Sequence, residues 1–119
     1  MPKTVMVLED ESMLFGLLED LLGLEGYRVT KPVSLAELVE EVRADRPDAL
    51  LIDVNLKEAN GLELLSKIRA DEELKHIVVL LTSGSDYRRE SEERGANGFL
   101  MKPYMPEELV TALQQNLNN

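Results

Sequence analysis

Apolar residues along this chain follow two alternating rhythms: short continuous runs, and longer stretches in which they recur every three or four positions. The runs are Thr4–Leu8 (TVMVL), Ala49–Ile52 (ALLI), Ile77–Thr82 (IVVLLT) and Gly98–Met101 (GFLM), and Tyr27–Thr30 (YRVT) alternates. Brief unbroken apolar segments suit strands covered on both faces and alternation suits a half-buried one, so these five read as strands. The spacing between them predicts helices. The first starts at Ser12, placed to cap it, carries Leu14, Leu17, Leu18, Leu21 and Leu22, and ends near Gly23 and Gly26. Ser34 and Glu37 have capping-box spacing ahead of Leu35, Leu38, Val39 and Val42, a second helix running to about Asp45 and stopped before Pro47. A third follows Gly61 with Leu62, Leu65 and Ile68 on one face, and a last one from about Pro106 to Leu117 turns Leu109, Val110 and Leu113 inward. The stretch Tyr87–Arg94 has almost no apolar face. After a turn at Ser83, Gly84, Ser85 and Asp86 it relies on ion pairs spaced as Arg88–Glu92, Arg89–Glu93 and Glu90–Arg94, and is expected to be the least firmly anchored helix.

Strands alternating with helices at short intervals build βαβ units with right-handed crossovers, hence a parallel sheet with helices on both sides. In so short a chain this predicts an α/β, doubly wound, flavodoxin-like fold: a five-stranded sheet in order 2-1-3-4-5 with five helices, one domain over residues 1–119. The composition narrows the function. Thirteen Lys and Arg against 23 Asp and Glu give a net charge of −10, which repels phosphate backbones and anionic lipid, so direct nucleic-acid and membrane partners are not expected. The absence of cysteine removes disulfides, thiolate metal sites and cysteine nucleophiles. No apolar run approaches the roughly 20 residues of a spanning helix, and Met1-Pro2-Lys3-Thr4 does not open a signal peptide, so a soluble, cytoplasmic protein is expected.

Ligands of such sheets gather at the carboxyl ends of the strands. There the sequence places Glu9 and Asp10, Asp53, Thr82 and Ser83, and Lys102. Three carboxylates brought together must share protons, pair with a cation or hold a metal, and Mg²⁺ suits an all-oxygen set that leaves room for a phosphate. Lys102 supplies a point charge for phosphate oxygens, while the Thr82 hydroxyl and nearby backbone N–H groups, Ser83 among them, supply donors. Asp53, at the centre, is the candidate acceptor of a phosphoryl group as an aspartyl phosphate. Singly, each feature is ordinary: acidic residues favour helix starts, hydroxyl residues favour turns, Phe99 suits a core, and the lone His76 reads as plain surface. Their coincidence at one sheet edge carries the reading.

MVLED (6–10), LLIDVNL (50–56) with Gly61 following, VLLTSG (79–84) and FLMKP (99–103) stand in an order and spacing that resembles the receiver domain of bacterial two-component response regulators, of the chemotaxis-regulator kind. The resemblance spans essentially the whole chain. It implies that Asp53 is the phosphoacceptor, that Glu9 and Asp10 with Asp53 and the backbone carbonyl of Asn55 hold Mg²⁺, and that Thr82, Ser83 and Lys102 contact the phosphoryl group. Thr82 and Phe99 match the switch pair that changes the face of helix 4, strand 5 and helix 5. A cis Lys102–Pro103 bond is implied as well. The implied partners are a sensor histidine kinase or histidine phosphotransfer protein and a downstream target whose identity the sequence does not encode. Two positions depart from the family pattern. Glu9 replaces the commoner aspartate, which implies a longer arm acting through water, and Lys57 replaces a frequent proline, which implies a freer loop and an added cation.

Two other classes compete. A flavodoxin-type cofactor carrier needs a donor-rich loop after the first strand, where Glu9, Asp10 and Glu11 would repel a phosphate. A phosphatase of the haloacid dehalogenase type also forms an aspartyl phosphate but uses a second aspartate two positions on, where this chain has Asn55. A phosphorylation-controlled binding module that is not an enzyme in the ordinary sense is the favoured expectation.

Overall fold

The structure, a computed structural model, describes residues 2–117. Five strands, β1 (Thr4–Leu8), β2 (Arg28–Thr30), β3 (Ala49–Asp53), β4 (Val78–Ser83) and β5 (Gly98–Met101), form one sheet in the order β2-β1-β3-β4-β5. All neighbouring pairs are parallel. The helices are α1 (Ser12–Leu24), α2 (Leu38–Asp45), α3 (Gly61–Ala70), α4 (Arg88–Glu93) and α5 (Pro106–Leu117). The flavodoxin-like fold expected from the sequence is therefore the fold observed.

Side chains alternate along each strand and so feed two cores. Val5, Val7, Leu51 and Leu80 pack with Leu18 and Leu22 of α1 and Leu109 and Leu113 of α5. Met6, Leu50, Ile52, Val79 and Leu81 pack with Leu38 and Val42 of α2 and Leu65 and Ile68 of α3. β3 is buried at every position, because it lies mid-sheet with helices over both faces. At roughly 1.5–3 kcal/mol for each large apolar side chain taken from water, these layers supply the main force holding the strand ends in place.

Local details differ from the sequence reading in four places. Leu17, expected on the inner stripe of α1, is 60% exposed, since only Leu18 and Leu22 lie squarely over the sheet. Ser12 is the first residue of α1 and Glu11 occupies the cap position, without a side-chain cap bond. Ser34 and Glu37 form no capping box: a 3₁₀ turn at Leu35–Glu37 intervenes before α2, and the Glu41 carboxylate accepts from the Val33 and Ser34 N–H groups instead, each at 2.8 Å. Of the three ion pairs expected on α4, Arg89–Glu93 forms at 3.4 Å, Arg88 turns to Asp86, and Arg94 donates to the Ser66 hydroxyl. Asp86 does stabilise the start of α4, accepting from the Arg88 N–H.

The segment between α4 and β5 is held from α3. The Arg69 guanidinium donates to the carbonyls of Gly95 and Ile77 and to Oδ1 of Asn97, at 2.7–2.9 Å. Gly95 has φ +93°, a backbone conformation that favours glycine, and its missing Cβ would stand in ordinary contact, 3.4 Å from the Arg69 side chain.

Candidate functional site

Sheet register assembles the site. Leu8 pairs with Ile52, so Glu9 leaves β1 beside Asp53; Asp53 in turn pairs with Thr82, and Ser83 with Met101, directly before Lys102. Residues far apart in sequence thus emerge at one edge. The Val54 N–H donates to the Thr82 carbonyl and the Lys102 N–H to the Ser83 carbonyl, both at 2.8 Å, extending the ladder into the loops that carry the side chains.

The Asp53 side chain is only 11% exposed and both its oxygens are engaged. Oδ1 accepts from the Asn55 N–H at 2.9 Å, and Oδ2 accepts from the Lys102 ammonium at 2.9 Å. Lys102 also donates to Oε1 of Glu9 at 3.0 Å. Burial works against the charge on Lys102, but the hydrogen bonds and charges of Asp53 and Glu9 outweigh it and hold its pKa above the ordinary lysine value. Next to this pair, burial pushes the Tyr104 phenol up to about 12. The peptide bond between Lys102 and Pro103 is cis, as the resemblance implied.

Asp10 is exposed, and its Oδ2 accepts from the Lys57 N–H at 2.6 Å. A proline at position 57 would lack this donor, so the loop is tied to Asp10 rather than freed. Among the described residues no three acidic or histidine side chains stand close enough together to grip a metal ion. The oxygens are nonetheless of the right kind, since carboxylates and a backbone carbonyl are the hard donors that Mg²⁺ prefers. The longer arm of Glu9 spends its reach on Lys102.

Thr82 is buried in the register position beside Asp53, and Phe99 is half-buried on β5 with the Arg88 guanidinium 5.7 Å from its ring centre. His76 is exposed, as its plain-surface reading required. The sequence singles out Ser83 and Gly61, but the contacts they and Asn60 make in the site are not legible there. Ser83 is fully buried and its hydroxyl donates to Oδ1 of Asn55 at 2.6 Å. Gly61, which opens α3, packs so closely under Asp53 that a Cβ would stand 2.7 Å from the Asp53 carbonyl oxygen and 2.7 Å from the Val54 Cα. Asn60 caps α3 by accepting from the Leu62 and Glu63 N–H groups, which fixes the far end of the Asp53 loop.

Residues 5–114 match the model of the response regulator receiver domain, and the chain belongs to that family. It is 29% identical over 122 residues to the polar-differentiation response regulator DivK of Brucella anthropi, covering 100% of this chain and 99% of that protein. Among solved structures, a putative response regulator from Chloroflexus aurantiacus superposes with a TM-score of 0.91 at 30% identity, covering 100% of both chains. The receiver domain of the sensor histidine kinase PA1611 from Pseudomonas aeruginosa, which coordinates a magnesium ion in its active-site cleft, gives 0.87 at 25% identity over 100% of both chains. The protein is thus a two-component signalling module, and among its described residues no helix is long and apolar enough to cross a membrane.

Proposed function

We propose that this receiver domain accepts a phosphoryl group on Asp53 from a histidine kinase or histidine phosphotransfer protein and that the modification alters a partner-binding face. The observation that carries the reading is the contact between Asp53 Oδ2 and Lys102, two partly buried side chains at the strand ends. In the transfer, a lone pair on an Asp53 carboxylate oxygen forms the O–P bond as the bond from phosphorus to the donor nitrogen breaks, and that nitrogen keeps the bonding pair. Lys102 then follows the negative charge from carboxylate to phosphoryl oxygens, and the Thr82 hydroxyl and the Ser83 N–H are the nearby donors. Glu9, Asp10, Asp53 and the Asn55 carbonyl would hold Mg²⁺, which when bound neutralises charge on the transferring group.

The readout follows from thin anchorage. α4 has six residues and one buried side chain, Ser91, so its position costs little to change. Movement of Thr82 toward the phosphoryl group and of Phe99 after it would reshape the face of α4, β5 and α5. Asn55 stands two residues after the acceptor and has no acid to assist hydrolysis, which favours a stored signal over phosphatase turnover.

Incubation with acetyl phosphate and Mg²⁺ tests this, with intact-mass spectrometry as the readout. One phosphoryl group per chain is expected on wild type and none on Asp53→Asn, whose amide is not a nucleophile. Label at position 53 in that variant, or rapid multiple turnover of phosphomonoesters by wild type, would overturn the proposal.

A further inference from the structure

Asp53 is oriented by a relay that does not pass through Lys102. Its Oδ1 accepts from the backbone N–H of Asn55; the Asn55 side-chain oxygen accepts from the Ser83 hydroxyl; and the Ser83 hydroxyl oxygen accepts from the Ser85 N–H at 3.0 Å. Ser83 is 0% exposed whereas Asn55 is exposed at the mouth of the site, so the buried hydroxyl is the fixed point and the carboxamide is what it holds. An asparagine on a solvent-facing loop ordinarily samples several rotamers. Here the residue is pinned by a bond that crosses from the β3–α3 loop to the β4–α4 loop, 28 positions apart.

We infer that Ser83 is a positioning residue for the phosphoacceptor: its hydroxyl holds Asn55, whose N–H fixes one oxygen of the Asp53 carboxylate and leaves the oxygen on Lys102 as the attacking one. The inference rests on the acceptor role proposed above. Transfer of a phosphoryl group demands in-line approach, and a carboxylate that can rotate spends part of its time misaligned. Removing the hydroxyl breaks two charge-neutral hydrogen bonds, and the loss of the one to Asn55 sets the scale of effect expected in the rate.

The test is a double-mutant cycle on the rate of Asp53 phosphorylation by acetyl phosphate at saturating Mg²⁺, using Ser83→Ala, Asn55→Ala and the pair. Each single variant is expected to be slower than wild type by about three- to tenfold, and the pair no slower than the slower single, because both break the same relay. A structural readout accompanies it: in Ser83→Ala the backbone amide resonance of Asn55 shifts while those of β1 stay in place, and Asn55→Ala, which leaves the buried Ser83 hydroxyl without its acceptor, shifts the Asn55 and Ser83 amide resonances together. A Ser83→Ala rate equal to wild type, or losses that multiply in the pair, overturns the inference while leaving the acceptor assignment intact. Wild type that takes no label overturns both.

Discussion

The ammonium of Lys102 lies 2.9 Å from Oδ2 of Asp53, a residue 49 positions earlier in the chain. The same ammonium reaches Glu9, so one cation neutralises two of the three carboxylates at the strand ends. Lys102 therefore occupies the role that an added divalent ion would contest.

Replacing it separates binding from transfer. In Lys102→Met, Asp53 and Glu9 lose their internal counter-cation, and Mg²⁺ binding measured by titration calorimetry is expected to tighten. Transfer from acetyl phosphate is expected to fall about a hundredfold, the usual loss when a charge-stabilising donor is removed. Weaker Mg²⁺ binding in this variant would contradict the contest.

Asp10 and Glu9 should differ as ligands. Asp10 is held only by the Lys57 N–H and can be released to an ion, whereas Glu9 is committed to Lys102 and, at 3.2 Å, to the Glu11 N–H. Asp10→Asn is expected to weaken Mg²⁺ affinity more than Glu9→Gln does, and the same titrations decide the order.

Gly61→Ala should destabilise the fold by about 1–3 kcal/mol, as overpacking does. The added methyl would meet backbone atoms of Asp53 and Val54, which cannot rotate away as a side chain would. Urea unfolding measures the loss; an unchanged midpoint would show that α3 can shift to make room.

Alkaline pH reads the burial beside the site. The Tyr104 phenol is raised from 10.0 to about 12, so the folded chain holds that proton more firmly than the unfolded one. The associated stability is complete below about pH 10 and is lost as pH rises through about 12. Lys102, whose pKa also lies above its ordinary value, contributes with the same sign. Tyr104→Phe should flatten part of this decline, visible as a smaller change in the denaturation midpoint across the window.

The stack of Arg88 on Phe99 is measurable as a coupling. Arg88 is exposed, so the interaction should be worth about 0.5–1 kcal/mol, and a cycle with Arg88→Ala and Phe99→Leu on folding stability should return a value in that range.

Periodicity and register explain which features were legible before any coordinates. Four strands could be read because each is brief and unbroken in apolar character and the second because it alternates, and Asp53, Thr82 and Lys102 because a parallel doubly wound sheet delivers strand ends to one edge. Leu17 misled because helical spacing defines a stripe wider than the strip of sheet beneath α1. The capping box at Ser34 failed because the 3₁₀ turn, invisible to a spacing rule, displaced Glu37. The bond from Ser83 to Asn55 was beyond reach of pattern altogether: it depends on how two loops are set by the pairing of β3 with β4, and neither residue type announces it.

Arg69 clamps three oxygens around the far end of α4, and Gly95 fits against it with a backbone shape that other residues resist. Arg88, at the opposite end of that helix, is held by its N–H to Asp86, a loose ion pair with the same carboxylate and an aromatic face. Under the proposed switch, a push arriving from Thr82 would therefore meet a lever with its fulcrum at the trailing end, and would convert a small displacement near the carboxylate pocket into a swing of the outer surface.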